Sequence, residues 1–441
     1  MSDGPVPVGT ECLSVVAPAA EEPPKESMNG PVSFKRRLRQ WFWHGVARQT
    51  TLWSLILLAI ARWIGRRRRT PRTEGREIML TGRFDSDNWI LAHLGPLAAS
   101  QECSRLWMVS TNPVPPLPKV VAIYPPQWLM KAVGATPARL LAFTWAAMRQ
   151  RPHVVGGFHI MVNGIAAVIV ARLVGARSLY FCVGGPAEIR DGGVHGVEGL
   201  FVGMETPDAL VESRLLKIVA ESDTVITMGT RAVGFFQGKG IDTDYHVVSG
   251  GIDPTRFQPG DEVPSYDLIL TGRLAEVKRI DVFLHAVRIV ADRIPNVKAV
   301  IVGDGQGRER LQALSADLGI DRNVEFVGHR NAVEDWLRRS RIFVLTSDSE
   351  GLSLSMMEAM MCGLPAVVSD VGDLADLVEN GVTGYLVPRR SPQLFAERIV
   401  ELLSDEQTLR AFSQAARRSA LRYETQATVR RWDSILADHR K

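Results

Sequence analysis

The 441-residue chain has few cysteines, and no two of them lie close together in the sequence. It has no C-x-x-C pair and no cysteine with a histidine at metal-ligand spacing, so neither a disulfide framework nor a zinc site is expected. Three of the cysteines lie in or beside apolar runs, where a buried free thiol is the favoured interpretation, and free thiols suit a reducing cytosol. The four are Cys12, Cys103, Cys182 and Cys362.

A long apolar segment is also missing. The longest clean apolar run, Leu52 to Ala61, has about ten residues, which is half of the ~20 that a membrane-spanning helix needs. Acidic residues are absent between Lys35 and Arg72, a stretch that contains eleven lysines and arginines. Because the whole chain has a formal net charge of +4, the remainder is net negative and the basic character belongs to this one segment.

This segment, residues 34–72, is predicted to be a basic, tryptophan-rich amphipathic helix. Tryptophans at headgroup depth and arginines near anionic phosphates favour a helix whose residues 34–69 lie on an anionic membrane surface. Two alternatives stay open, namely a helix packed on the first domain with its arginines in water and a marginal or re-entrant span. The expected location is the cytoplasm, peripheral on the inner face of the cell membrane.

The remaining composition is that of an ordinary globular protein. The hydrophobic fraction is 46% and the charged fraction 23%, and no folded face carries clustered lysine and arginine with interleaved aromatics, so nucleic acid is not an expected partner. Residues 1–33 are rich in proline, glutamate, serine and glycine and are predicted to be a disordered tail. They do not resemble a secretory signal, because acidic residues and prolines stand where a basic start and an apolar core belong.

From residue 73 onward, short apolar runs alternate with helical patterns, which predicts an α/β fold. Two doubly wound, Rossmann-like domains are expected, over residues 73–250 and 251–425, facing each other across a cleft. Residues 426–441 are expected to form a C-terminal helix that packs back on the first domain. Strands are predicted at Ile78–Thr81, Leu106–Val109, Val120–Ile123, Val154–Gly157, Leu179–Val183, Thr224–Met228, Tyr245–Val248, Leu268–Thr271, Ala299–Val302, Val324–Val327, Ile342–Leu345 and Ala366–Ser369.

The strongest chemical signal is a pair of carboxylates, Glu350 and Glu358, placed between a predicted strand and the helix that follows it. Gly351 permits close approach of the backbone to a ligand, and the N–H groups of residues 351–354 would lie at a helix N-terminus, where anions are favoured. Each carboxylate can accept hydrogen bonds from paired sugar hydroxyls. The pattern predicts an anion and polyol site at the carboxyl edge of the second sheet.

A second motif follows the first strand of the same domain. Here Gly272 precedes Arg273, which can fork onto a phosphate, and Lys278 adds a point charge five residues later. The glycine-rich turn Gly303 to Gly307 loosely resembles a nucleotide-binding turn, but it lacks the dinucleotide spacing. A tight strand-to-helix connection explains that turn equally well.

Taken together, these stretches resemble a family 4 (group 1) glycosyltransferase of the GT-B fold over about residues 249–432. Six motifs occur in order at the expected spacing. They are Gly250 to Phe257, Thr271-Gly272-Arg273 with Lys278, Ile301 to Gly305, Phe326-Val327-Gly328, Glu350 to Glu358 with Ala359 and Cys362 to Pro365, and Val382 to Val387.

The resemblance implies a retaining transferase that moves a sugar from a nucleotide-sugar, such as a UDP- or GDP-sugar, to a hydroxyl of a glycan or lipid-linked glycan. It makes residues 73–250 the acceptor domain and 251–425 the donor domain, with no cofactor and no metal ion. Arg273 and Lys278 would hold the donor diphosphate. The sugar would contact Glu350, and the ribose would contact Glu358. Backbone amides at Gly351, Leu352, Ser353 and Leu354 would meet sugar or phosphate, and residues 326–331 would line the base pocket.

His159, at the end of a strand of the first domain, is a further candidate catalytic residue, with a structural histidine as the alternative. The sequence departs from the family pattern at three places. Arg279 stands where a glycine is usual, Gly372-Asp373 replaces paired glycines, and the loop 82–86 lacks a glycine pair. Three other functions stay open: a sugar-nucleotide epimerase or hydrolase, a noncatalytic sugar-nucleotide sensor or scaffold, and a membrane-lipid-binding protein.

Overall fold

The structure is a computed structural model, and it describes residues 34–65, 75–84, 86–194, 203–260 and 263–438. The predicted disordered tail, residues 1–33, and the arginine-rich end of the predicted basic segment, residues 66–72, lie outside this described part of the chain.

Two parallel sheets organise the chain, which confirms the predicted α/β architecture of two doubly wound units. The first sheet has seven strands in the order β3-β2-β1-β4-β5-β6-β7, and the second has six in the order β10-β9-β8-β11-β12-β13. Most strands are continuous runs of buried aliphatic residues, as expected for parallel sheets covered on both faces. The strands are β1 Arg76–Thr81, β2 Cys103–Val109, β3 Val120–Ile123, β4 Val154–Phe158, β5 Arg177–Cys182, β6 Thr224–Thr227, β7 Asp244–Val247, β8 Tyr266–Thr271, β9 Ala299–Val302, β10 Val324–Gly328, β11 Ser340–Leu345, β12 Ala366–Ser369 and β13 Gly384–Val387.

Helices cover both faces of each sheet. Those of the first half are α1 Phe34–Ile64, α2 Asp87–Ala99, α3 Gln127–Val133, α4 Ala135–Gln150, α5 Ile165–Val174, α6 Ala209–Val219 and α7 Thr230–Gly238. Those of the second half are α8 Ile280–Arg293, α9 Arg308–Asp317, α10 Val333–Arg338, α11 Leu354–Met361, α12 Pro392–Ser404, α13 Glu406–Ala420 and α14 Thr425–Asp438. All twelve predicted strands are present with small shifts at their ends, and β13 is an additional one.

Helix α1 packs along one face onto α5 and α6 of the first sheet unit. Its N-terminal half is tied to the loop before α6, because His44 Nδ1 lies 2.7 Å and Arg48 Nε 2.9 Å from the Asp208 carboxylate. Within the described ranges, no helix combines the length and apolar character that a membrane span requires. The buried residues of α1 form a stripe of mostly small side chains: Ala47, Thr51, Ser54, Leu58 and Ala61.

The C-terminal helix α14 returns to the first sheet unit and packs against α2. The Trp432 ring lies 6.0 Å from the Phe181 ring of β5. At the end of α2, Asp433 Oδ1 accepts hydrogen bonds from the Ser100 hydroxyl at 2.6 Å and the Gln101 N–H at 2.9 Å. The two sheet units are therefore linked by this helix as well as by the chain that connects β7 to β8.

Candidate functional site

The loop after β8 is shaped by close backbone packing. Gly303, at the end of β9, has a φ of 150°, and a Cβ atom there would overlap the Gly272 carbonyl oxygen. Added Cβ atoms at Gly305 and Gly307 would press on the backbone of Leu274. The glycine-rich turn therefore packs beneath the 272–274 segment, as a tight connection would. It fixes the loop that carries Lys278.

Lys278 and Glu350 meet at the carboxyl ends of β8 and β11, which are neighbours in the second sheet. Lys278 Nζ donates to Glu350 Oε1 at 2.6 Å, and the Ser347 hydroxyl donates to the same oxygen at 2.6 Å. Both charged side chains are shielded, with exposures of 17% and 11%. The Thr346 hydroxyl donates to the Lys278 carbonyl oxygen at 3.1 Å and holds the two loops together.

Helix α11 begins directly behind this ion pair. Ser353 caps the helix by accepting from the Met356 N–H at 3.4 Å, and the backbone of residues 351–354 leads into its first turn. Gly351 approaches the other half of the molecule, because a Cβ atom there would overlap the Val183 carbonyl oxygen. The glycine thus permits close contact across the cleft, whereas the sequence interpretation assigned it to ligand approach alone.

Glu358 lies inside α11 and is 6% exposed. Burial raises the pKa of its carboxyl group to about 8, although Arg256 opposes the shift and Glu334 adds to it. Its carboxyl group has no hydrogen-bond partner among the described residues. Arg256 instead pairs with Glu334 at 2.9 Å and donates to Asn88 Oδ1 at 2.9 Å. The sequence interpretation treated Glu358 as ionised, whereas this environment favours the protonated form near neutral pH.

The predicted donor residues thus form two groups in the structure. Lys278 and Glu350 are in direct contact beside the start of α11, and Glu358 belongs to a separate cluster around Arg256. Arg273 is exposed in the loop after β8 and has no ion pair among the described residues. Only part of the expected convergence is therefore present in direct contacts.

His159 follows β4 and has a φ of 63°, a conformation uncommon for a residue with a side chain. Its Nδ1 lies 2.9 Å from Glu188 Oε1, and Glu188 also accepts from the Ile160 N–H at 2.8 Å and the Tyr180 hydroxyl at 2.9 Å. Burial opposes ionisation of Glu188, but its neighbours, His159 first among them, hold the pKa of the carboxyl below its ordinary value. An ionised, buried carboxylate therefore orients the His159 ring.

The His159 and Glu188 pair sits next to the loop that carries Glu350. The Gly184 N–H donates to Glu188 Oε1 at 2.5 Å. The next residue, Gly185, faces the opposite domain, because a Cβ atom there would lie 3.8 Å from the Glu350 carbonyl oxygen. One short segment thus contacts both sides of the cleft.

A second contact between the halves involves carboxylates that follow β12. Asp373 Oδ1 accepts from the Arg231 N–H at 2.8 Å, and Asp376 accepts from the Thr230 N–H and hydroxyl at 2.6 Å each, which caps the start of α7. The Arg231 guanidinium pairs with Asp370 at 2.8 Å. Burial, followed by repulsion from Asp376, raises the pKa of Asp373 to about 6.

Two of the departures from the family pattern have a physical explanation. Arg279 has a φ of 47°, the left-handed region that favours glycine, and ion pairs to Asp281 at 2.6 Å and Asp348 at 3.6 Å hold it there. At Gly372 a Cβ atom would overlap the Glu350 carbonyl oxygen, so only the second glycine of the usual pair could be replaced. Asp373 occupies that position and makes the interdomain contact.

The sequence interpretation missed Glu188, Arg256 and Asp373. Glu188 could have been noticed in the sequence, because it is the first acidic residue after Glu102. An isolated acidic residue in such a stretch is a candidate for a specific role. The roles of Arg256 and Asp373 depend on contacts between the two halves, which no local pattern encodes.

The chain is similar to known proteins in both sequence and fold. Residues 252–419 match the family model described as glycosyl transferases group 1. The fold is also found in the HepE protein of Anabaena, crystallised with UDP-glucose. That structure superimposes with a TM-score of 0.66 at 16% sequence identity, covering 82% of this chain and 100% of that one. The second half of the chain is thus similar to group 1 glycosyltransferases over the matched residues, and the two-sheet architecture is that of the GT-B fold.

Curated relatives align with only part of the chain. The D-inositol 3-phosphate glycosyltransferase of Rhodococcus erythropolis is 31% identical over 246 residues, covering 51% of this chain and 55% of the relative. That of Streptomyces bingchenggensis is 31% identical over 199 residues, covering 40% and 44%. The chain therefore spans about half the length of the curated relatives it matches.

Proposed function

We propose that the protein is a retaining glycosyltransferase that moves a sugar from a nucleotide-sugar to a hydroxyl of a glycan or lipid-linked glycan. The observation that carries the proposal is the shielded contact between Lys278 and Glu350 beside the start of α11. A lysine, a carboxylate and helix-start N–H groups at one sheet edge can together bind a phosphorylated sugar. No cofactor or metal ion enters the proposal.

In the proposed donor complex, Lys278 exchanges its contact with Glu350 for the donor diphosphate, and Arg273 closes onto the same phosphates from the edge of the cleft. Glu350 is then able to accept from sugar hydroxyls. Backbone N–H groups from Gly351 to Leu354 meet sugar or phosphate, with Gly272 giving room for close approach. Glu358 binds the ribose hydroxyls, which supply the partners that its buried carboxyl group lacks.

The reaction breaks the bond between the anomeric carbon and the diphosphate, and forms a bond from that carbon to the acceptor oxygen on the same face. The acceptor proton passes to the departing diphosphate. The main contribution of the protein is electrostatic, because positive charge and helix-start dipoles stabilise the charge that develops on the phosphate.

From the first domain, His159 is proposed to contact the donor sugar or the acceptor, with Glu188 as its positioning residue. The carboxylate at Nδ1 fixes the orientation and the tautomer of the ring. This assignment places one functional side chain on each side of the cleft.

The relatives support a uridine nucleotide as the first donor to examine. HepE was crystallised with UDP-glucose, and a pneumococcal O-GlcNAc transferase of the same fold was crystallised with UDP and GlcNAc. We therefore propose thermal-shift measurements with a panel of UDP- and GDP-sugars, because a ligand that binds the native state raises apparent stability. The best donor is then incubated with glycan and lipid-linked acceptors, and the anomeric configuration of the product is read by NMR.

A glycoside with the donor configuration retained supports the proposal. If free sugar or an epimer were the only product with every acceptor, the chain would be a hydrolase or epimerase. If a nucleotide-sugar bound but was never turned over, it would be a sensor.

Peripheral membrane location through residues 34–69 is a further part of the proposal. The outward face of α1 exposes large apolar side chains, including Trp41 at 75%, Trp53 at 59% and Trp63 at 73%. Burial of the opposite face against α5 and α6 favours a helix that is docked on its own domain while it lies on a bilayer. Deleting the segment would uncover that packing, so the combined substitutions Trp41→Ser, Trp53→Ser and Trp63→Ser are the better test of vesicle binding.

A further inference from the structure

Helix α4 exposes an apolar stripe on its outward face. Leu141, Trp145 and Met148 lie at helical spacing and are 53%, 60% and 49% exposed. The opposite face is an ordinary core face, on which Phe143 and Ala147 are fully buried. Three large apolar side chains in a row on the solvent-exposed face of a helix are unusual and indicate an interaction surface.

The short helix α3, just before α4, has no buried residue at all. Its Trp128 is 68% exposed and its Val133 is 44% exposed. It packs against α4, and the two helices together present one apolar surface. We call the exposed residues Trp128, Val133, Leu141, Trp145 and Met148 the α3–α4 patch.

The α3–α4 patch lies on the same side of the first sheet as α1. Phe143 of α4 and Val170 of α5 pack into one core cluster with Met79 and Val155, so both helices cover the same sheet face. Helix α1 packs on α5 from that side. The exposed apolar face of α1 and the α3–α4 patch therefore belong to one side of the molecule.

The charge of this region points to an anionic partner. Between Glu102 and Glu188 the sequence contains eight lysines and arginines and no acidic residue. Arg139 is buried and Arg172 pairs with Asp223, whereas three cations on or beside α3 and α4 are exposed, namely Lys131, Arg149 and Arg151. In α4, the Arg149 guanidinium lies over the Trp145 ring, 5.7 Å from its centroid. Exposed tryptophans among cations, with no acidic residue between them, suit the headgroup layer of an anionic bilayer. Cores of protein interfaces, in contrast, are depleted of charged residues.

We propose that the α3–α4 patch is a second membrane-contacting element, which lies with α1 on the anionic headgroup surface of a bilayer. This inference rests on the peripheral location proposed above and adds a second point of contact to it. Two separated contacts fix the orientation of the domain on the bilayer, whereas a single helix would leave it free to roll about the helix axis.

The orientation has a consequence for the acceptor. Strand β3 is parallel to β2 and ends at Ile123, so the chain emerges at the carboxyl edge of the sheet, and α3 follows directly. That edge faces the cleft. With α3 on the bilayer, the opening of the cleft stays close to the headgroups, where a lipid-linked acceptor hydroxyl would be presented.

The test is flotation of the full chain with vesicles of phosphatidylcholine alone and of phosphatidylcholine with phosphatidylglycerol. The variant carries Leu141→Ser, Trp145→Ser and Met148→Ser. A matched control carries Val263→Ser, Leu394→Ser and Leu421→Ser, three exposed apolar residues of the second half. We expect wild type and control to bind the anionic vesicles, and the α4 variant to bind about tenfold or more weakly, since three apolar side chains lose their burial in the bilayer.

The α1 tryptophan variant, run in parallel, separates the two ideas. If it is released while the α4 variant binds like wild type, α1 acts alone and the inference is overturned, with the peripheral location intact. Failure of the wild type to bind anionic vesicles, or equal binding to neutral ones, would overturn it as well. Donor binding by all variants reports on the proposed glycosyltransferase activity independently.

Two further measurements test whether the patch is a dimer interface and whether the variant is correctly folded. Sedimentation velocity without lipid must give the same oligomeric state for wild type and α4 variant; a dimer lost in the variant would assign the patch to a second copy of the chain and overturn the inference. If the triple variant does not keep the wild-type melting temperature, Trp145→Ser and Trp145→Phe replace it. The phenylalanine variant is then expected to retain most of the binding, and equal loss in both would contradict the lipid contact.

Discussion

The two sides of the cleft are built in different ways. On the side of the second sheet, Lys278, Ser347 and Glu350 come from adjacent strand ends, and each stands in a short motif that the sequence displays. On the side of the first sheet, His159 and Glu188 are 29 residues apart and meet only because β4 and β5 are neighbours. A site built from loops at strand ends can therefore be recognised in the local sequence, whereas a buried pair can be recognised only once the fold is known.

The largest effect is expected on the donor side. Lys278→Met keeps the apolar stem and removes the charge, and turnover should fall by about 10²- to 10³-fold, the range seen when one electrostatic donor to a developing anion is removed. The measurement is nucleotide release with the best donor of the panel. Lys217→Met, an exposed lysine on α6, serves as the control. Undiminished turnover in the Lys278 variant would show that Lys278 does not stabilise the departing diphosphate.

On the opposite side, Glu188→Gln should lower kcat by up to about 10²-fold, because a misplaced catalytic group costs rate even when it is still present. The pH profile of kcat should change as well, and the KM for the donor should stay near its wild-type value. Tyr180→Phe is the matched control, since it removes one donor to Glu188 and leaves the His159 contact in place. An unaltered pH profile together with a lowered melting temperature would show that the role of Glu188 is structural.

The contribution of Glu358 to stability is expected to depend on pH. Its pKa is raised from 4.5 to about 8 by burial, so the folded state binds the proton more tightly than the unfolded state does. Its contribution to stability is therefore fully present below pH 4.5 and is lost as the pH rises toward 8. Glu358→Gln should raise the free energy of unfolding by about 2–3 kcal/mol at pH 7.5 and change it little at pH 4.5.

Urea unfolding of the ligand-free protein at both pH values measures this, with the exposed Glu309→Gln as the control. The same substitution should weaken donor binding, since the ribose loses its carboxylate partner. If the variant is neither more stable at pH 7.5 nor weaker in donor binding, the Glu358 carboxyl group is solvated and does not contribute to the donor site.

The smallest effect concerns how the two sides meet. A Cβ atom on Gly229 would overlap the Asp373 Cβ, so Gly229→Ala should push the halves apart at a cost of about 1–3 kcal/mol. Gly234→Ala, five residues further along in α7, meets no neighbouring atom and should be neutral or slightly stabilising. Small-angle scattering and thermal denaturation compare the two variants. Identical radii of gyration would indicate that the contact at Asp373 does not hold the cleft closed.

Much of the fold could be predicted because buried parallel strands are continuous aliphatic runs. Strand β13 was missed, since it begins at Gly384 and its residues were interpreted only as part of a motif. The packing of α1 on the first domain is hard to predict from the sequence, because its buried stripe consists of small residues such as Ala47 and Thr51, and the larger apolar residues point outward. Helices α3 and α4 were not predicted either, because α3 buries no residue and α4 has large apolar residues on its exposed face as well as on its core face.

Within the site, Lys278 contacts Glu350 because β8 and β11 are neighbours in the sheet, and strand order brings the two loops together. Their convergence on a donor stays a prediction. The protonated state of Glu358 could not be foreseen, since it depends on how completely α11 is buried. The conformation of Arg279, which departs from the family pattern, could not be predicted either. It is stabilised by two carboxylates that are distant from each other in sequence.

The most direct measurement is a crystal structure of the full chain with the donor that gives the largest thermal shift. We expect the diphosphate between Lys278 and the backbone N–H groups at the start of α11, the sugar against Glu350, and the ribose against Glu358. A diphosphate bound elsewhere, with the contact between Lys278 and Glu350 undisturbed, would contradict the account.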